Sequence, residues 1–159
     1  MAVNRDSNAY TVVFTILMVG IVGALLAFLA MYLKPIQDKN VVIKKKKDIL
    51  AAMSVESDRK TAEDLYEKHI IAAECKVLNF KGETIDGKVA FDSDIRKEYK
   101  DKTKDLTQRE YPLYVGKDDG KTFYIIPMVG NGLWGPIWGY VALKEDKSTI
   151  SGVVFDHQG

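Results

Sequence analysis

The stretch Gly130-Asn-Gly-Leu-Trp-Gly-Pro-Ile-Trp-Gly139 holds the residue types best suited to chemistry in this sequence. Two indoles, Trp134 and Trp138, stand four residues apart among glycines and a proline. An indole face can stack offset on a planar aromatic ligand, worth about 0.5–1.5 kcal/mol beyond area burial, and glycines let backbone approach such a ligand closely. The competing use of each tryptophan is core packing. Gly130, Gly132 and Gly135 also spell a literal G-x-G-x-x-G after a strand-like run. A dinucleotide site would need a helix N-terminus directly afterwards, aiming amides at pyrophosphate. Pro136 and Gly139 deny that helix and no βαβ unit follows, so the Rossmann reading is excluded and a glycine-rich turn remains.

Other chemistry-bearing residues are sparse. Cys75 stands alone, which excludes an internal disulfide framework and a cysteine zinc site. His69 has no second His, Cys or carboxylate at metal spacing and reads as structural. No nucleophile, general acid or metal constellation is visible, which suits a relay better than a hydrolase. Lys and Arg number 23 against 22 Asp and Glu, so no global field draws the chain to nucleic acid.

The elements that must position the turn begin with Thr11–Leu33, a run without charge. As a helix it would span about 34 Å, enough to cross a hydrocarbon core. Tyr10 and Tyr32 fall where headgroups would lie, and Lys34-Pro35 stops the run. The run is too long for a cleaved signal peptide and lacks a small-x-small site near its end, so a retained anchor is expected. Gly20, Gly23, Ala24, Ala27 and Ala30 form a stripe of small side chains. It is either a docking face for other membrane subunits or the ordinary composition of a membrane helix.

Gln37–Met53 predicts a helix leaving the membrane, with Lys44–Lys47 as a solvated face or a contact with anionic headgroups. Thr61-Ala-Glu-Asp64 predicts a capping box opening a short helix through Ile70. Strands are expected at Ile71–Phe80 and Lys88–Phe91, then a charged excursion over Asp92–Glu110. Tyr111–Val115 and Thr122–Val129 flank Gly116–Lys121 as a hairpin, and Gly139–Leu143 pairs with Thr149–Phe155. The class is α+β: a single N-terminal transmembrane helix, then a domain with an antiparallel sheet and flanking helices. The expected organisation is an N-terminal flank at 1–10, the transmembrane helix at 11–33, a juxtamembrane helix and linker at 34–60, and an α+β domain at 61–159.

Phe123–Leu143 with its Gly-Leu-Trp-Gly and Gly-Tyr-Val-Ala-Leu segments, then Thr149–His157, resembles the FMN-binding domain of one respiratory family. The anchor, Pro35-Ile-Gln-Asp-Lys-Asn40 and the order of elements extend the resemblance. The family comprises the C subunit of the Na+-translocating NADH:quinone oxidoreductase and the G subunit of the Rnf complex. The Gln37…Asn40 spacing and the charged excursion favour the first of these.

The resemblance implies a flavin electron-transfer subunit of a complex that couples NADH oxidation by quinone, such as ubiquinone, to Na+ export. It implies FMN as cofactor, with Gly132, Leu133 and Trp134 approaching the isoalloxazine. Partners would be other membrane subunits, on the Gly20/Gly23/Ala24/Ala27/Ala30 face, and lipid. The soluble domain would lie on the periplasmic side of a bacterial inner membrane, whereas the lysine-rich flank read by charge alone would place it inside; large translocated domains tolerate such charge. In the family FMN is joined through its phosphate to threonine in a Ser-Gly-Ala-Thr-x-Thr motif that follows a Glu-Thr-Pro-Gly-Leu-Gly segment. Neither occurs here, so a C-terminally truncated relative without the covalent attachment site is expected, not catalytically competent alone. The alternative from another class is a tethered scaffold or binding module without redox chemistry.

Overall fold

A computed structural model describes residues 7–157 of the chain, which divides into two compact units, Met1–Val42 and Ile43–Gly159. The first is occupied by most of helix α1, Asn8–Ala52. The Ser7 hydroxyl accepts the Tyr10 amide at 3.2 Å, satisfying one of the orphan donors of the first turn. The apolar run then continues with a mean hydropathy of 2.8 and none of it buried, so the helix is long and apolar enough to cross a membrane. Beside Gly20 and Gly23 there is open space where a side chain would stand. The apolar run ends at Lys34-Pro35 as expected, but the helix continues through Pro35. Proline removes one ladder bond, while the residues beyond it keep propagating the helix at one bond each. The helix expected separately over Gln37–Met53 is the continuation of α1.

The second unit is an antiparallel meander in the order β1-β2-β3-β4-β5. The strands are β1, Lys76–Leu78; β2, Tyr111–Asp118; β3, Lys121–Asn131; β4, Pro136–Leu143; and β5, Ile150–His157. Two short helices accompany it, α2 (Ala62–His69) and α3 (Ile95–Lys100), with 3-10 turns at Ala72–Glu74 and Leu106–Gln108. The expected α+β class holds. The β2–β3 hairpin is tighter than expected, because Asp119 and Gly120 take φ of 47° and 76°. Two consecutive positive φ values suit a two-residue turn that matches strand twist, so Gly116–Asp118 join β2.

Three local expectations are corrected. Thr61 is not the cap of α2; it is already α-helical and makes no side-chain cap bond. The box sits one turn earlier: Asp58 Oδ1 accepts the Lys60 and Thr61 amides at 2.7 and 2.8 Å, while Thr61 Oγ1 accepts the Asp58 amide at 3.1 Å. Thr61 thus fills the reach-back role and Asp58 the capping one. The strand expected over Ile71–Phe80 shrinks to Lys76–Leu78, because the Ile71 amide is taken by Val115 O and Val115 N turns to Cys75 Sγ. Lys88–Phe91 does not pair with it; Thr84 bridges Leu78 and the Ile85 amide donates to Val77 O, closing that edge sooner.

The end of α1 lies on one face of the sheet. Ile49, Leu50, Ala52 and Met53 are buried with Tyr114, Phe123, Ile125 and Ala142. A Cβ on Gly152 would come within 2.4 Å of the Ala52 carbonyl oxygen, so glycine there is what lets helix backbone sit on β5. Three lysines of the run are engaged by the sheet unit rather than left as a purely solvated face. Lys44 pairs with Asp48 at 3.2 Å and Asp156 at 3.0 Å. Lys45 donates to the Phe91 and Ser93 carbonyls. Lys46 meets Glu63 at 3.1 Å and lies over the Tyr66 ring.

Candidate functional site

The glycine-and-indole stretch is the tip of the β3–β4 hairpin. Asn131 pairs with Pro136 and Gly130 with Ile137, leaving Gly132–Gly135 as the connection. The Gly132 amide donates to Gly135 O at 2.7 Å and Gly135 takes φ 148°, a conformation open to glycine. Pro136 opens β4, where a missing N–H is tolerated. Strand, turn and strand replace the strand, turn and helix that a dinucleotide fingerprint needs, as the sequence requires.

Leu133 and Trp134 are 91% and 92% exposed. Trp134 is therefore no core residue; its ring is offered to whatever approaches the tip. Trp138 is placed otherwise. It is half-buried, opposite Val129 and Asp156, with the Arg96 guanidinium 5.0 Å from its ring centre. The two indoles that spacing groups together thus serve different surroundings, since a turn separates one from the ladder that holds the other.

Arg96 is itself held by Asp94. That carboxylate accepts the Arg96 amide at 3.0 Å as the cap of α3 and lies 3.4 Å from its Nε. Burial works against the Asp94 charge, but Arg96 and Lys45 outweigh it and keep the pKa below the usual range. Lys45, on the opposite side of the segment, donates to two carbonyls and lies 4.7 Å from the Phe91 ring centre. Burial pulls its ammonium below the ordinary value, with Asp94 and Asp92 opposing. Sequence reasoning singles out neither Arg96 nor Lys45. For Lys45 a signal exists: it precedes Ile49 by four residues and Met53 by eight, which places it on the buried stripe of the helix. For Arg96 on Trp138 there is none, because the contact spans a long charged excursion.

His69 is structural as expected. It is buried, with Nδ1 3.0 Å from the Lys117 carbonyl and 3.2 Å from Asp118 Oδ1, so that nitrogen carries the proton. Among the described residues no group of three metal-binding side chains forms.

The tip offers a planar, desolvatable face of the kind an isoalloxazine stacks on, with Leu133 beside it. Among the described residues, the Gly132–Gly135 turn itself offers no cation or hydroxyl for a phosphate. A shaped hollow of about 410 Å³ on the α3 side is lined by Asp92, Asp94, Glu98 and Glu110 as well as Lys88 and Lys97. Such an acidic lining repels a phosphate. The residues present thus fit the ring of a flavin mononucleotide and not its phosphate.

No protein-family model matches the chain. Curated relatives do. The C subunit of Na(+)-translocating NADH-quinone reductase from Haemophilus ducreyi is 30% identical over 98% of this chain, which spans 65% of that protein. Its counterpart in Vibrio parahaemolyticus is 28% identical over the whole chain, which spans 67% of it. Among solved structures, the crystal structure of the same reductase component from Parabacteroides distasonis superposes with a TM-score of 0.69 at 35% identity. That match covers 80% of this chain and 59% of the crystallised one. The chain therefore spans about two thirds of the length of the relatives it matches.

Proposed function

The chain is a homologue of the C subunit of Na(+)-translocating NADH-quinone reductase, and on that premise we propose that it is a membrane-anchored electron-transfer component of such a reductase, working with FMN and coupled to Na+ export. The observation that carries this reading is the likeness to the Haemophilus ducreyi protein over 98% of the chain, apolar helix included. The helix around Thr11–Leu33 would anchor it in a bacterial inner membrane with the sheet unit on the periplasmic side. Its Gly20/Gly23/Ala24/Ala27/Ala30 face would meet the other membrane subunits.

Bound FMN would supply one- and two-electron transfer. In this chain Leu133 and Trp134 would cover the isoalloxazine face, and Gly132 would allow its close approach. Arg96 and Asp94 would hold Trp138 rigid behind the turn. No residue here is assigned a proton to transfer.

The test is titration of the full chain, purified in detergent, with FMN, following flavin fluorescence. Quenching that saturates, and weakens at least tenfold in Trp134→Ala, supports the reading. A chain that binds no flavin leaves a tethered scaffold in its place.

A further inference from the structure

The meander has two unlike ends. At one, β2 turns into β3 through Asp119-Gly120 and β4 into β5 through residues 144–149, among them Lys144, Glu145, Asp146 and Lys147. At the other, β3 turns into β4, and residues 129–138 hold no charge. Two more loops share this uncharged end. β1 stops at Leu78 opposite Tyr111, where β2 begins, so the chain after the one and before the other lies there. Phe80 in the first loop is 51% exposed and Leu106 in the second 62%, beside the open Leu133 and Trp134 of the tip. The Tyr111 hydroxyl donates to Leu106 O at 3.2 Å, which holds the second loop to the strand. The acidic groups of these loops are engaged: Glu83 accepts from Asn79 at 2.8 Å, Asp105 accepts the Leu106 amide at 2.7 Å, and Glu110 pairs with Lys88.

The part of α1 inside the second unit runs along β4 in the same sense. Lys44 pairs with Asp156, opposite Trp138, while the Ala52 carbonyl lies against Gly152, opposite Ala142. The helix advances about 12 Å from Lys44 to Ala52, and β4 about 14 Å from Trp138 to Ala142. The chain therefore enters the sheet unit at the end that carries the uncharged tip. Ile43, the first residue of that unit, follows the uncharged run ending at Leu33 closely. About ten residues in any conformation hold the two within about 35 Å.

We propose that this end of the sheet unit is a membrane-binding surface. Leu133 and the Trp134 indole enter the headgroup layer of the bilayer that anchors the chain, with Phe80 and Leu106 resting on it. An indole suits that layer because its ring is apolar and its N–H finds water or a headgroup. Lys81 lies over Phe80, its Nζ 5.6 Å from the ring centre, so its stem covers the ring and its ammonium meets lipid phosphate. The tip closes its own backbone bond between Gly132 and Gly135, so lipid leaves no strand group unpaired there. Anchoring makes this second contact intramolecular, and a few apolar side chains then suffice where a free domain needs many. The proposal rests on the anchor proposed above and not on the flavin.

The experiment places the full chain in phosphatidylethanolamine–phosphatidylglycerol vesicles without flavin, a share of the lipid carrying a nitroxide on its headgroup. Tryptophan emission is expected to fall at least twofold in Trp138→Phe, where Trp134 is the remaining indole. It is expected to change far less in Trp134→Phe, where Trp138 remains. The difference between wild type and Trp134→Phe gives the same reading without touching Trp138. Leu133→Asp, at a position 91% exposed, is expected to remove most of the quenching while leaving the thermal midpoint in place. Trp134 emission that the headgroup label leaves unchanged, in a chain that floats with the vesicles, overturns the proposal alone. A chain that does not float overturns the anchor and the proposal together. Shielding of Trp134 from iodide that grows with the protein-to-lipid ratio marks a second copy on the tip and also overturns it.

Discussion

The two faces of the one sheet show what an interior demands and what a surface tolerates. On the inner face every large side chain has a cover: Ile125 and Ala142 are fully buried and Tyr114 is 1% exposed. Its polar groups are paired too, the Tyr114 hydroxyl donating to Ala90 O at 2.9 Å and Lys45 to two carbonyls. On the outer face Ile126, Met128, Ile137, Val153 and Phe155, of the same hydrophobicity, stand open, although Val141 among them is buried. The strands alternate identically on both sides, so hydrophobic type alone does not separate a core from an open face. The cover does.

The comparison breaks first if the inner face yields as easily as the outer. Ile125→Ala should cost about 2–5 kcal/mol, the transfer loss plus a cavity that the sheet cannot collapse. Urea unfolding of the full chain, followed by Trp138 fluorescence in a Trp134→Phe background, reads this directly. Next comes Lys45→Met, which leaves the Phe91 and Ser93 carbonyls without their charged donor, at about 1–3 kcal/mol. Lys46→Met removes a more ordinary ion pair with Glu63 and should cost under about 1 kcal/mol. Equal losses for the two lysines would show that Lys45 is a surface group after all.

The large pattern of this fold was legible in the sequence because it rests on local signals. The uncharged run dictates α1, Asp119-Gly120 dictates the β2–β3 turn, and the alternation of β3 to β5 dictates the meander. What escaped depends on partners distant in sequence. The shortening of β1 follows from Val115, and the misplaced cap from Asp58, which takes the Lys60 and Thr61 amides while Thr61 Oγ1 takes the Asp58 amide in return. At the tip, Gly132, Leu133 and Trp134 came from the family resemblance, while spacing grouped Trp134 with Trp138 and could not separate them, since only the ladder register says where the turn ends. Arg96 was invisible for the same reason.

Smaller effects sharpen the contrast. Asp94→Ala removes the α3 cap and the Arg96 partner behind Trp138, and should cost about 1 kcal/mol near neutral pH. The sign follows from its depressed pKa. A carboxylate whose folded pKa lies below its unfolded value stabilises the fold above the unfolded value of 3.8, and that contribution is lost as pH falls through the folded pKa. Wild type and Asp94→Ala should therefore converge in urea midpoint as pH falls below 3.8, with the remaining difference due to the cap alone. A gap that widens in acid would mean the Asp94 charge is a burden rather than a support.

The smallest effect belongs to the outer face. Phe155→Ser removes a large aromatic ring, which on the inner face would cost several kcal/mol. At 60% exposure most of that ring already sees water in the free chain, so the loss should stay within about 0.5 kcal/mol. The substitution should also lower any tendency of the free chain to associate, because it shrinks the apolar patch beside an open strand edge. Urea midpoints of wild type and Phe155→Ser, measured over a hundredfold range of protein concentration, test both at once. A loss near that of Ile125→Ala would mean that Phe155 is buried in the isolated chain, and the two faces would then be one core.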